Sequence, residues 1–493
     1  MDYNKQLLMK AVPMKSILLI FSFIVLSRDI FAQNKLIKVA CVGASITYGA
    51  TIPNREQNSY PAQLQKMLGH NYLVANYGVS GTTMLRKGDL PYWNTKEYIG
   101  ALSDLPDIVF IDLGGNDSKL INRKYYADFE QDCHDLVQSF ARLPSHPRVV
   151  LMEAMPSWVT DTTGIWDPVI VKKINPHIQN VAFKDNIELI DMHSPFVDQE
   201  ANTPDKIHPN KTGATLMAKL IYENIVREKD FKFDIFSHIQ IPQRVSSFYG
   251  YACADFTLDG RNCKVVKPKW SAKGHPFMWR ARFWGHEPQT DIALLQRGFH
   301  LVYLDAAELL GNDTAIKYWN DFYNLLYKAG LAKKAAMEGM SRGGVYVFNW
   351  AAVNPDKVSG VYVDNPLLNI PSWAEGPMRT PAVKNDMFEA FKKDYNLTSD
   401  KEVRLFKGSP VDKVAQIVKG KYPILILCAD ADEEVSPADN TLLFEQKIKA
   451  LNGDVTVMHK PGFKHHPHSF PNPTPIVNFI LKATGESITF PNN

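Results

Sequence analysis

Cysteine is scarce in this 493-residue chain: there are five, with no C-x-x-C pair and no zinc-type cysteine–histidine spacing. That excludes a zinc ribbon, a thioredoxin-like redox motif and a disulfide-built scaffold. An odd count leaves at least one thiol unpaired. Cys41 and Cys428 lie in apolar, strand-like runs and are expected as core thiols. Cys253 and Cys263 flank a Leu-Asp-Gly turn and are open to a hairpin disulfide, which sequence alone does not decide. Excess charge is also missing. The formal net charge is +3, with no basic tract, so neither a nucleic-acid nor a membrane-surface partner is expected. Internal repeats and low-complexity segments are absent.

Long hydrophobic runs are lacking too. The N-terminal run Ile17 to Leu26 is too short for a comfortable membrane span. It follows Lys5, Lys10 and Lys15 and precedes a small residue, Ala32, which is the pattern of a secretory signal peptide over residues 1–32. Met14 is an alternative start. With no cysteine after the expected cut, a lipoprotein anchor is not expected. The expected location is therefore secreted or periplasmic, with no membrane span once the signal is removed.

What is present is ordinary globular composition, 45% hydrophobic and 22% charged, over a length that suits two or three domains. From Lys35 onward, continuous apolar strands alternate with helical stretches. "LIKVACVG", "YLVANYG", "DIVFIDLGG", "RVVLMEAMP" and "NIELIDM" read as parallel strands covered on both faces. A helix beginning near Thr212 closes this set. The mixed stretch 229–250, with short β-prone pieces, breaks the rhythm and is expected to be a linker or boundary between a domain over 33–228 and one over 251–493. The second domain repeats the α/β alternation, with strands such as "FHLVYLD", "KKAAMEGMS", "VSGVYVDNP" and "YPILILCAD".

Four pieces of the first domain follow predicted strands: "GASIT", "NYGVSGTT", "LGGND" and "DKIHPN". Functional groups gather at strand C-terminal ends in open parallel sheets. A serine hydroxyl is a weak nucleophile until a base takes its proton, and the base needs an orienting acid. Asp205 and His208 are three apart on one loop, so one carboxylate can grip one imidazole. Gly81 can bring a backbone N–H close to a substrate and Asn116 can donate from its amide; with the Ser45 N–H they would form an oxyanion hole. This ordered set resembles the SGNH (GDSL-like) hydrolases over roughly residues 35–227. The resemblance implies a flavodoxin-like α/β/α sandwich with Ser45 as nucleophile, His208 as base and Asp205 as its partner. One departure is Gly43-Ala44-Ser45, where the family has Gly-Asp-Ser. His193 is a competing base, read as packing or binding substrate.

In the second domain, Gly339-Met340-Ser341-Arg342-Gly343 is G-x-S-x-G between an apolar strand and a helix, the context of a nucleophile elbow. The Arg342 N–H is a natural oxyanion donor, and a second donor is expected from the loop near "WRARFWGH". Chain order then calls for an acid and a histidine. The set resembles the α/β-hydrolase superfamily over about 250–490, closest to its prolyl-oligopeptidase-like and acyl-esterase branches. That resemblance implies Asp432 as acid, with Asp430 and Asp364 as alternatives, and His465 as base, with His466 a close rival and His468 a weaker one. A metal on the histidine cluster is not favoured, because no carboxylate or cysteine spacing supports it. No cofactor is expected. The aromatics of "KYWNDFYNLLY" fall at helical spacing and belong to the core; Trp158, Trp166 and Trp373 sit in loops and are candidates for stacking on sugars.

The expectation is an α/β protein of two domains, a flavodoxin-like sandwich followed by an α/β-hydrolase fold. It would be an exported bifunctional carbohydrate esterase, with two serine centres acting on an acylated polysaccharide or oligosaccharide. The acyl group is expected to be acetyl at the first centre, and acetyl, hydroxycinnamoyl or a methyl ester at the second. The competing readings are a peptidase in the second domain, and one active domain joined to a decayed one that binds or scaffolds.

Overall fold

The computed structural model describes residues 35–376 and 380–491. The expected signal peptide lies outside the described residues. No helix among them is long and apolar enough to cross a membrane.

Five strands form the first sheet: β1 (Ile37–Gly43), β2 (Tyr72–Gly78), β3 (Ile108–Asp112), β4 (Arg148–Met152) and β5 (Glu188–Ile190). They are parallel, in the order β2-β1-β3-β4-β5. β3 is buried along its whole length, because helices cover both faces of the sheet. One face packs Val42, Ile111 and Leu151 against helix Tyr126–Ala141; the other packs Cys41, Phe110 and Val150 against helix Lys211–Val226. This is the flavodoxin-like sandwich expected.

The stretch 229–250, read as a boundary, carries short strands and a helical turn. β6 (Lys229–Asp230) pairs with β10 (Ser271–Ala272), and β7 (Arg244–Phe248) is an edge strand of the second sheet. β7 reads Arg-Val-Ser-Ser-Phe, with its two apolar residues on opposite faces, so it lacks the alternation of a half-buried strand. β8 (Tyr251–Leu258) and β9 (Arg261–Lys267) form a hairpin whose turn residues, Asp259 and Gly260, both have positive φ. The remaining strands are β11 (Phe277–Ala281), β12 (His300–Leu304), β13 (Ala335–Met340), β14 (Val358–Asp364), β15 (Ile424–Ala429) and β16 (Val455–Lys460). The nine-stranded sheet runs β16-β15-β14-β13-β11-β12-β9-β8-β7. Its antiparallel strands lie at one edge, and β11 to β16 run parallel, as in an α/β-hydrolase fold.

All five cysteines are free and buried. Cys253 and Cys263 do not form the hairpin disulfide that their spacing left open. In the hairpin register Cys253 faces Val266 and Cys263 faces Phe256, so the two are not cross-strand partners. The aromatic helix, Asp313–Lys328, is core as expected: Trp319 stacks on Trp279 at 4.5 Å between ring centroids.

Two candidate active sites

The first cluster is built by strand ends. β1 stops at Gly43, where an added Cβ would lie 2.1 Å from Thr47 Oγ1 and 2.8 Å from the Asp112 carbonyl. Only glycine lets the chain turn there so that Ser45 opens the short helix Ser45–Tyr48. His208 Nε2 lies 2.8 Å from Ser45 Oγ, and His208 Nδ1 lies 2.6 Å from Asp205 Oδ2. The other carboxylate oxygen of Asp205 accepts the backbone N–H groups of His208 and Ile207, at 2.7 and 3.1 Å. Burial opposes the charge on Asp205, but these bonds outweigh it and hold its carboxyl below the usual range.

Gly81 sits at φ +86°, a conformation that favours glycine. Asn116 reaches the same loop, its Nδ2 donating to the Thr82 carbonyl at 3.0 Å. Asp117, unremarked in the sequence, accepts the Met84 and Leu85 N–H groups and fixes the rest of that loop. Its only sequence signal is adjacency to Asn116. At position 44 the alanine packs against the apolar core. The nearby carboxylate is Asp112, which accepts from Thr47 Oγ1 at 3.0 Å. Burial pushes Asp112 up to about 6, against the pull of the Thr47 bond. The competing base, His193, is turned to Asp167, with Nε2 3.0 Å from Oδ1. A small cavity of about 30 Å³ opens at Ser45, lined by Asn116, Ala154, Met155 and Ile165 among others.

The second cluster rises from β13. Ser341 has φ +49°, a strained conformation worth about 1–3 kcal/mol for a non-glycine residue. The glycines around it leave no room for side chains: a Cβ on Gly343 would lie 2.6 Å from the Ala281 carbonyl, and one on Gly344 2.6 Å from Pro366. His465 Nε2 lies 3.0 Å from Ser341 Oγ and His465 Nδ1 lies 2.7 Å from Asp432 Oδ2. Asp432 Oδ1 accepts the Glu434 and Val435 N–H groups, both at 2.9 Å.

The alternatives for this site go elsewhere. Asp430 pairs with His459. Asp364 is buried beneath the histidine loop, where it takes Lys460 Nζ at 2.9 Å, His468 Nδ1 at 3.1 Å and the Ser469 N–H at 2.7 Å. Burial lowers the pKa of His468, although Asp364 opposes the shift. His466 is exposed and borders the cavity without approaching Ser341 as His465 does. Arg342 precedes helix Gly343–Val353, its guanidinium over the rings of Phe283 and Trp373 at 5.7 and 5.5 Å. The loop after β11, where a second oxyanion donor was expected, brings Phe283 and His286 to the cavity. That cavity is about 280 Å³ and also meets Trp373 and Met387. Asn365 was missed: its Nδ2 donates to the His465 carbonyl at 2.9 Å and its Oδ1 accepts the Ala429 N–H at 2.8 Å. Trp373, expected in a loop, lies on the short helix Ile370–Glu375. Of the two loop tryptophans, Trp158 donates its backbone N–H to the Lys206 carbonyl beside His208, and Trp166 carries Arg123 over its ring.

Comparison with known proteins follows the same division. The model of the GDSL-like Lipase/Acylhydrolase family matches residues 41–216, a span that contains Ser45, Gly81, Asn116, Asp205 and His208. An acetylxylan esterase of Xylanibacter ruminicola is 39% identical over 207 residues, covering 38% of this chain and 43% of that protein. The chain thus spans less than half the length of this curated relative. Among solved structures, the Pyrococcus horikoshii acylaminoacyl peptidase aligns with a TM-score of 0.37 and 14% identity, over 52% of this chain and 44% of its own. An S-formylglutathione hydrolase from Agrobacterium tumefaciens aligns with a TM-score of 0.37 and 15% identity, over 49% of this chain and 98% of its own. Residues 41–216 thus match the model of the GDSL-like Lipase/Acylhydrolase family, and the strand order of the nine-stranded sheet beyond them is that of an α/β-hydrolase fold.

Proposed function

We propose that this chain is an exported carbohydrate esterase with two independent serine centres, the first removing acetyl groups and the second a bulkier O-acyl or ester group from the same polymer. The observation that carries this reading is the pair of separate hydrogen-bonded arrays, Asp205–His208–Ser45 and Asp432–His465–Ser341. In each, the histidine Nε2 takes the serine proton as Oγ attacks the ester carbonyl, and the aspartate holds the imidazole in the tautomer that can do so. The tetrahedral oxyanion at Ser45 would be met by the backbone N–H groups of Ser45 and Gly81 and by the Asn116 amide. At Ser341 it would be met by the Arg342 N–H and a donor from the loop after β11. The histidine then passes its proton to the leaving alcohol, and water releases the acyl group by the reverse steps.

The cavity sizes favour different acyl groups. About 30 Å³ behind Ser45 suits a group of acetyl size; about 280 Å³ with Phe283 and Trp373 suits a hydroxycinnamoyl group or an esterified sugar ring. The similarity to an acetylxylan esterase supports an acylated plant polysaccharide as substrate. Linking both centres in one chain raises the local concentration of one polymer at both. Ala44 removes none of the hydrogen bonds within the Ser45 array, which argues against a decayed first domain. The test is to assay Ser45→Ala and Ser341→Ala singly on acetylated xylan, aryl acetates, feruloyl and methyl esters, and peptides. Separable losses are expected; loss of every activity by one substitution contradicts two centres, and peptide turnover without ester turnover contradicts an esterase.

A further inference from the structure

Outside both arrays, Cys428, Asp430 and His459 place a thiol, a carboxylate and an imidazole with their donor atoms all within 4.8 Å of one another. The sheet explains why they meet. Cys428 on β15 is in register with His459 on β16, so their side chains share a face. Asp430 is two residues beyond Cys428 and returns to that same face, its backbone N–H still bonded to the Lys460 carbonyl. β16 is an edge strand, which leaves the imidazole and carboxylate half-exposed above a buried sulfur.

We propose that Cys428, Asp430 and His459 form a binding site for a thiophilic divalent cation of the Zn²⁺ class. Thiolate, imidazole and carboxylate are the donor set that Zn²⁺ takes, and the open side leaves a fourth position for water. Bond lengths of about 2.0–2.3 Å put ligand atoms roughly 3–4 Å apart in a tetrahedron, so the three groups need only a small shift to close on an ion. His459 Nδ1 already lies 2.6 Å from Asp430 Oδ1, and the ion would replace the shared proton. The Cys428 proton would leave to solvent. The other histidine group, His465, His466 and His468, is a poorer site, because His465 is held by Asp432 and Ser341 and His468 by Asp364. A bound ion would also brace the second centre. Ala431, between Asp430 and Asp432, donates its N–H to the Phe463 carbonyl at 2.9 Å, two residues before His465.

The experiment titrates the full-length, chelator-treated protein with Co²⁺ and Zn²⁺. The expected result is one equivalent bound, a sulfur-to-cobalt charge-transfer band, and a Tm rise of about 3–5 °C at a Zn²⁺ concentration about 100 times Kd. Cys428→Ser should abolish the band. His459→Ala, at an exposed position that cannot unfold the core, should weaken binding at least about 100-fold, and His466→Ala should leave metal binding unchanged. Absence of a sulfur-to-cobalt band, His459→Ala binding like the parent protein, or binding lost in His466→Ala would overturn the proposal.

Discussion

Arg297 clasps Glu223 from two sides, with Nε donating to Oε1 at 2.9 Å and Nη2 to Oε2 at 2.7 Å. Glu223 lies on the last helix packed against the first sheet; Arg297 follows helix Gln289–Leu295 of the second unit. The pair therefore joins the two units, and Arg227 adds a further donor to the same carboxylate. Burial opposes the charge, but Arg297 and Arg227 outweigh it and hold the Glu223 carboxyl below its ordinary value. Glu223→Ala takes this carboxylate from the half-buried Arg297 and from the buried Arg227, which keeps Glu486, and should cost about 3 kcal/mol in urea unfolding. Because the folded pKa is depressed, the contribution is fully present above about pH 4.5 and fades as pH falls through the lower folded value. A substitution that costs nothing at pH 7 would contradict this role.

Asp112 predicts the opposite pH dependence. Its folded pKa is raised to about 6 by burial, so the fold favours the protonated acid. The penalty is absent below the unfolded value near 3.8 and complete above about 6. Asp112→Asn keeps an acceptor for Thr47 and should stabilise the protein by up to about 3 kcal/mol at pH 8, with no effect at pH 3.5. Thermal unfolding at the two pH values reads the difference; equal shifts at both would contradict it.

Asp205→Asn should leave the fold intact and reduce kcat at the Ser45 centre about 10⁴-fold, because the amide favours the wrong His208 tautomer. Activity at the Ser341 centre should be unchanged. A loss of less than about tenfold would place the orienting acid elsewhere.

Asn365 positions His465 through the backbone rather than through the imidazole. Asn365→Ala frees the His465 loop and leaves the Ala429 N–H unpaired. A small displacement at the reacting atoms is enough to lower kcat at the Ser341 centre about 10–100-fold, with KM little changed. Rescue by Asn365→Asp is not expected, since a carboxylate cannot donate to the His465 carbonyl.

Both serine turns were legible in the sequence because each depends on local sterics: a serine beside glycines, between an apolar strand and a helix. Asp205 and His208 were equally legible, being three apart on one loop. His465 could be singled out only through resemblance, and the structure explains the choice by where the neighbours go, His468 to Asp364 and His466 to the cavity rim. What stayed hidden was non-local. Asn365 acts across 100 residues, and Cys428 meets His459 only through strand register. Cys253 and Cys263 showed the reverse problem, since their spacing suited a bridge that the hairpin register does not make.

Activation of both Ser45 and Ser341 is tested by labelling the intact protein with a fluorophosphonate and mapping the adducts by mass spectrometry. Two equivalents per chain are expected, one on Ser45 and one on Ser341, with Ser45→Ala and Ser341→Ala each retaining the other adduct. A single equivalent confined to one serine at saturating probe would contradict it.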